Sequence, residues 1–134
     1  MDDDDAMGSR TPSGIGRRGE DAIAAIATAR GAEIVGRNLR SGHAEVDLMI
    51  LSRGVTWAIE VKSAQADSMA ADTLHQRLDP RQLGRVRRAA ETIARLRGLP
   101  TPVRLLAALV TFPSHGDPAV DWVEDLDDAR YSGK

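Results

Sequence analysis

Two short apolar stretches of this chain carry acids where the core of a sheet would otherwise be uninterrupted, and that conflict narrows what the chain can become. In residues 44–51, alternation sets Glu45, Asp47, Met49 and Leu51 on one strand face and Val46, Leu48 and Ile50 on the other. In residues 57–62 the same rule opposes Trp57, Ile59 and Val61 to Ala58, Glu60 and Lys62. Ser52-Arg53-Gly54 lies between them and is short enough for a hairpin. Such a hairpin brings Asp47 and Glu60 onto facing strands, pointing to one side of the sheet.

Burying a lone carboxylate is costly, and two close together are worse unless they share a cation. A divalent metal resolves the conflict. Asp47 and Glu60 offer hard oxygen ligands suited to Mg²⁺, which takes one or two carboxylates together with water and substrate phosphate. Lys62, on the same face as Glu60, would then stand beside a reacting water or phosphate and offset charge in the transition state. The competing reading is an exposed strand pair in which Lys62 bridges to Glu45 or Asp47. Lys62 is the only lysine before Lys134 in a chain that otherwise uses Arg. A compact ammonium can tune its pKa where a guanidinium cannot.

The set Asp47 and Glu60-Val61-Lys62 resembles the PD-(D/E)XK nuclease signature. Gly16-Arg17-Arg18-Gly19-Glu20-Asp21-Ala22 and Arg37-Asn38-Leu39-Arg40 sharpen the likeness. Together these motifs resemble the small bacterial endonuclease-like YraN family, related in fold to archaeal Holliday-junction resolvases. The resemblance covers residues 16–122. It implies that Glu20 is the helix acid, Asp47 and Glu60 the metal ligands and Lys62 the catalytic lysine, with Mg²⁺ or Mn²⁺ as cofactor. Two positions depart from the family pattern: Ala44 replaces the usual Gly before Glu45, and Gln82 stands where a basic residue usually opens the later helix. The second leaves open whether Gln82 acts at the site.

At 134 residues, 42% hydrophobic and 28% charged, the chain suits one globular domain. No apolar run reaches the roughly 18 residues of a membrane span, so a cytoplasmic protein without membrane contact is expected. The absence of Cys excludes disulfides and thiolate metal sites. Residues 1–13 read as an appended leader and flexible lead-in, 14–124 as the nuclease-like domain, and 125–134 as an acidic flexible tail. Without the four leading Asp residues, the formal charge of −2 becomes about +2. Residues 6–116 hold 16 Arg and Lys against 10 Asp and Glu, whereas residues 117–128 hold six acids and no base. A basic body favours phosphate contact.

Residues 17–30 predict a first helix, Ala-rich with Ile23, Ile26 and Ala27 as its apolar stripe and Gly31 as its stop. Glu20, in phase with that stripe, either leans toward the metal site or balances the helix N-terminus. Residues 33–39 read as a first strand, with Asn38 at its end and Arg40 just after it; these and Arg37 are candidate phosphate contacts or simply connection residues. Residues 63–78 have no sustained period and read as a mobile, substrate-facing connection with one helical turn near residues 73–78. Gln65 is a further candidate there.

Asp79-Pro80 opens a second helix with an N-cap acid and Pro at the first position, and Gly98-Leu99-Pro100 ends it. Leu83, Val86, Ala90 and Ile93 form its buried stripe. Arg81, Arg85, Arg88 and Arg95 fall in one narrow opposite sector that holds no acid itself, either a solvated face or a grip on backbone phosphates. Residues 103–112 are apolar enough for a central strand covered on both faces, and residues 119–123 form a last short strand. Trp57 and Trp122 read as packing residues, and His43, His75 and His115 as loop histidines without metal-ligand spacing, of which His43 alone lies close in sequence to Asp47.

The expected fold is α/β, a restriction-endonuclease-like mixed β-sheet core (αβββαβ) flanked by helices. The expected function is a metal-dependent endonuclease hydrolysing DNA phosphodiester bonds, at branched or repair structures, with Glu20 or Glu45 completing the metal shell. The alternative is a nucleic-acid-binding module on the same fold that cuts nothing. A junction-cutting role would favour a homodimer. No Walker-type loop is present, and Gly14-Ile15-Gly16-Arg17-Arg18-Gly19 follows no strand, so a nucleotide-cofactor reading is discounted.

Overall fold

A computed structural model describes residues 14–124; the expected leader and acidic tail lie outside the described residues. Helix α1 (Gly14–Ala29) precedes strands β1 (Glu33–Ser41), β2 (Ala44–Ser52) and β3 (Val55–Gln65). A short helix α2 (Met69–Asp72) and a 3₁₀ turn (Leu74–Arg77) lead to helix α3 (Pro80–Leu96), then strands β4 (Arg104–Phe112) and β5 (Ala119–Glu124). The strands form one five-stranded sheet in sequential order, and β3–β4 is its one parallel pair. Helix α3 provides the long crossover that a parallel pair requires. The α/β mixed sheet flanked by helices is therefore as expected. Among the described residues, no helix is long and apolar enough to cross a membrane.

Local chemistry explains the main connections. Between Ser52 and Val55, which pair, Arg53 and Gly54 both have positive φ (53° and 80°), as a two-residue hairpin with matching twist demands. Asp79 caps α3 by accepting from Arg81 N at 3.0 Å, with Pro80 at the first helical position. Residues 63–78 are more regular than their lack of period implies. Strand β3 extends through Gln65, and Leu74 of the 3₁₀ turn is buried with Ala64 and Leu109. Strand β1 likewise runs past residue 39 and contains Asn38 and Arg40.

Two layers of core sandwich the sheet. On one face, Ile23 and Ala27 of α1 pack on Leu48, Ile50, Ile59, Val61, Ala108 and Val110. On the other, Leu83, Val86, Ala90 and Ile93 of α3 pack on Val46, Met49, Ala58 and Leu105. Strand β4 is covered on both faces, as its apolar run predicts. Trp57 and Trp122 pack beside the α1 layer, as expected of packing residues.

One strand face needs correction. Val46 does not share a side with Leu48 and Ile50; it lies in the α3 layer, and they lie in the α1 layer. Strict alternation fails around Asp47, where β2 stops pairing with β3.

Candidate functional site

The site forms where β2 and β3 separate. Their pairing ends at Leu48 opposite Ile59, whereas β3 remains paired with β4 through Gln65. Past the split, Val61 N–H donates to Asp47 Oδ2 at 2.9 Å. A side chain thus satisfies a strand amide that the backbone of β2 no longer reaches.

Glu60 is buried, at 4% exposure. Its Oε2 lies 3.1 Å from Lys62 Nζ, and its Oε1 is buried without a hydrogen-bond partner among the described residues. Alternate positions on one strand place Glu60 and Lys62 side by side, which explains their pairing. The competing bridge from Lys62 to Glu45 or Asp47 is not formed; Glu45 pairs with Arg40 at 3.5 Å instead. Burial, reinforced by the charge of Glu60, pushes the Asp47 pKa up to about 8, against the opposing pull of the Val61 amide and Lys62.

Glu20 reaches the same region from α1. Helix α1 presses onto β3 at Gly19, where a Cβ would fall 1.8 Å from Ser63 Oγ. Only a residue without a side chain allows that approach, and the next residue is delivered buried. No acid lies in the first turn of α1, so helix-terminus compensation does not account for Glu20. Burial raises its pKa; a hydrogen bond with Asn38 and the charge of Arg37 act the other way. Asn38 has φ of +52°, a left-handed conformation that Asn tolerates better than most residues. Arg37 donates to Asp21 Oδ1 at 2.7 Å and lies 3.9 Å from Glu20.

Two cavities flank the carboxylates, and Asp47, Glu60 and Gln82 line both. The first, of about 270 Å³, adds Arg40, His43, Glu45 and Arg85. The second, of about 240 Å³, adds Glu20, Lys62, Ser63 and Arg77.

The structure therefore gathers Glu20, Glu45, Asp47, Glu60, Lys62, Gln82, Arg40 and Arg85 around two adjoining spaces. Arg37 and Asn38 do not line either space and serve to hold Glu20. Arg81 and Arg88 are exposed on α3 outside both cavities, and Gln65 is exposed at the end of β3. The arginine sector is also less uniform than expected, because Arg95 pairs with Glu91 at 3.5 Å, one turn away. Arg77 and Ser63 are additions, and His43, which the sequence places near Asp47, lines the first space with it. Arg77 is the single arginine of residues 63–78, a signal visible in the sequence; nothing comparable marks Ser63.

No group of three or more His, Cys, Asp or Glu side chains is arranged to hold a metal among the described residues. Magnesium does not require one, since one or two carboxylates suffice when water and phosphate complete its shell. The crowded Asp47–Glu60 pair, with one buried Glu60 oxygen lacking a partner, fits a hard divalent cation.

A family model described as "Uncharacterised protein family UPF0102" matches residues 19–110, which include Glu20, Asp47, Glu60, Lys62, Arg77 and Arg85. A UPF0102 protein of Sorangium cellulosum is 38% identical over 117 residues, covering 82% of this chain and 78% of its own length. One of Magnetococcus marinus is 33% identical over 111 residues, covering 82% of this chain and 89% of its own. One of Oleidesulfovibrio alaskensis is 37% identical over 75 residues, covering 56% of this chain and 36% of its own.

Proposed function

This chain belongs to the UPF0102, or YraN-like, family, and for it we propose metal-dependent hydrolysis of DNA phosphodiester bonds on the PD-(D/E)XK nuclease plan. One observation carries the reading. Asp47 and Glu60 are crowded at the split between two strands, with Lys62 on one Glu60 oxygen and no hydrogen-bond partner among the described residues on the other.

Asp47 and Glu60 would hold Mg²⁺ or Mn²⁺, with Glu20 or Glu45 joining through water. When bound, such an ion polarises phosphoryl oxygens and makes water more acidic. The chain's own residues do the rest. Lys62, with a side chain 17% exposed, keeps its ammonium at the cavity wall beside Glu60. There it orients an attacking water by hydrogen bonding and offsets charge gathering on the phosphate. Val61 N–H fixes one Asp47 oxygen, so that carboxylate meets the substrate already oriented. Arg85 opens onto the first cavity and Arg81 and Arg88 continue along α3, a row that contacts backbone phosphates.

The second reading, a binding module that cuts nothing, draws on that same row, which would hold DNA without any carboxylate. Labelled linear, single-stranded and four-way-junction DNA, incubated with Mg²⁺, Mn²⁺ or EDTA, separates the two. Cutting that requires metal and disappears in Lys62→Ala establishes the hydrolase. Binding without cutting of any substrate moves the conclusion to the module. Cutting that survives Lys62→Ala removes Lys62 from the mechanism.

A further inference from the structure

The shared wall has a consequence for how a substrate lies. A terminal nucleotide or a small phosphate ester needs one cavity beside the carboxylates, yet Asp47, Glu60 and Gln82 separate two. Each cavity also has its own arginine with no carboxylate partner among the described residues. In the first, Arg40 is occupied by Glu45 at 3.5 Å, and Arg85 remains. In the second, Lys62 is occupied by Glu60 at 3.1 Å, and Arg77 remains, its Nη1 donating to the neutral Ser63 carbonyl at 3.2 Å.

Arg77 is also firmly mounted. It ends the 3₁₀ turn whose Leu74 is buried against Ala64 and Leu109, and His75 Nε2 in the same turn lies 3.3 Å from Asp121 Oδ2 on β5. Its charge is thus presented from a fixed position.

We propose that a single nucleic-acid strand runs through both cavities, with Arg77 holding the phosphate on one side of the Asp47–Glu60 wall and Arg85 the phosphate on the other. The bond at the wall is then internal to the strand, and Arg77 is a substrate-positioning residue. This rests on the nucleic-acid part of the proposed function and not on hydrolysis itself.

The test measures binding in Mg²⁺ by the Lys62→Ala protein, which prevents cutting from confounding the titrations. The probes are single-stranded oligothymidylates long enough to carry a condensed counterion atmosphere, each titrated across a range of salt. Adding Arg77→Ala or Arg85→Ala should each remove the contribution of one phosphate and lower the salt slope by about 0.7, the value per contact on single strands. Together they should lower it by the sum, because the two contacts lie on different phosphates. Arg77→Lys should retain most of the slope, which separates lost charge from lost folding; thermal melts accompany each variant. An unchanged slope in Arg77→Ala overturns the proposal, as does a double variant no worse than either single one. Failure of the parent to bind any probe overturns both this and the nucleic-acid reading. Intact two-sided binding in a protein whose wild type never cuts would remove only the hydrolytic claim.

Discussion

The two edges of strand β3 meet opposite fates. Along one edge it pairs with β4 from Trp57 to Gln65 without a break, and the partners from Leu105 to Val110 are all Ala, Leu or Val. Along the other it pairs with β2 only as far as Ile59, and the vacated region collects three buried or half-buried acids and a lysine. The difference teaches where a small domain can place costly groups. The continuous edge fixes β3 in space, so the separated edge can hold Glu60 and Lys62 in register although their surroundings are poor in stabilising contacts.

That contrast can be broken from either side. The largest expected effect is at the open edge: Lys62→Ala should slow metal-dependent cutting by about 10²–10⁴-fold in single-turnover cleavage, while thermal melts in Mg²⁺, whose charge replaces the lost ammonium beside Glu60, show a smaller loss of stability than a core truncation. A comparable loss of stability in that variant would erase the division between the edges. At the closed edge, Leu105, 1% exposed, should behave in the opposite way. Leu105→Ala should cost about 2–5 kcal/mol of stability by urea unfolding, while the folded fraction keeps its cutting rate.

A smaller effect joins the two regions. Gly19→Ala forces a Cβ against Ser63 Oγ and should cost about 1–3 kcal/mol, with slower cutting as Glu20 is displaced. Removing that oxygen with Ser63→Ala in the same chain should recover part of both losses. No recovery would mean that α1 does not rest on Ser63.

The remaining prediction is a slope. Asp47 titrates near pH 8 in the folded chain and has an ordinary value of 3.8. Between those values the unfolded chain gives up the proton that the folded chain keeps, so the metal-free fold loses stability as pH rises from about 4 to 8 and levels off above. Asp47→Asn should flatten that decline in metal-free melts while abolishing cutting. An equally steep decline in Asp47→Asn would assign it to another group.

Much of this arrangement is legible in the letters of the chain. Period-two alternation is a local property, so the joint placement of Glu60 and Lys62 follows from β3 alone. The Asp79-Pro80 helix start and the doubly covered β4 are local signals too. What escapes such reading depends on contacts between distant segments. Val46 changes sides because β2 leaves β3, and nothing within residues 44–51 announces that separation. Arg77 enters the site because Leu74 anchors a short turn against Ala64 and Leu109, in a stretch with no period to follow. The pairing of Arg37 with Asp21 spans 16 residues, and neither stretch announces it.

The bond from Val61 N–H to Asp47 Oδ2 makes one backbone proton a spectator of the chemistry. Its partner is a carboxylate whose charge changes with protonation and with any cation it takes up, so the electron density felt by that amide changes in step. In a two-dimensional ¹H–¹⁵N spectrum, the single Val61 cross-peak becomes a gauge of the site's electrical state, readable without any substrate.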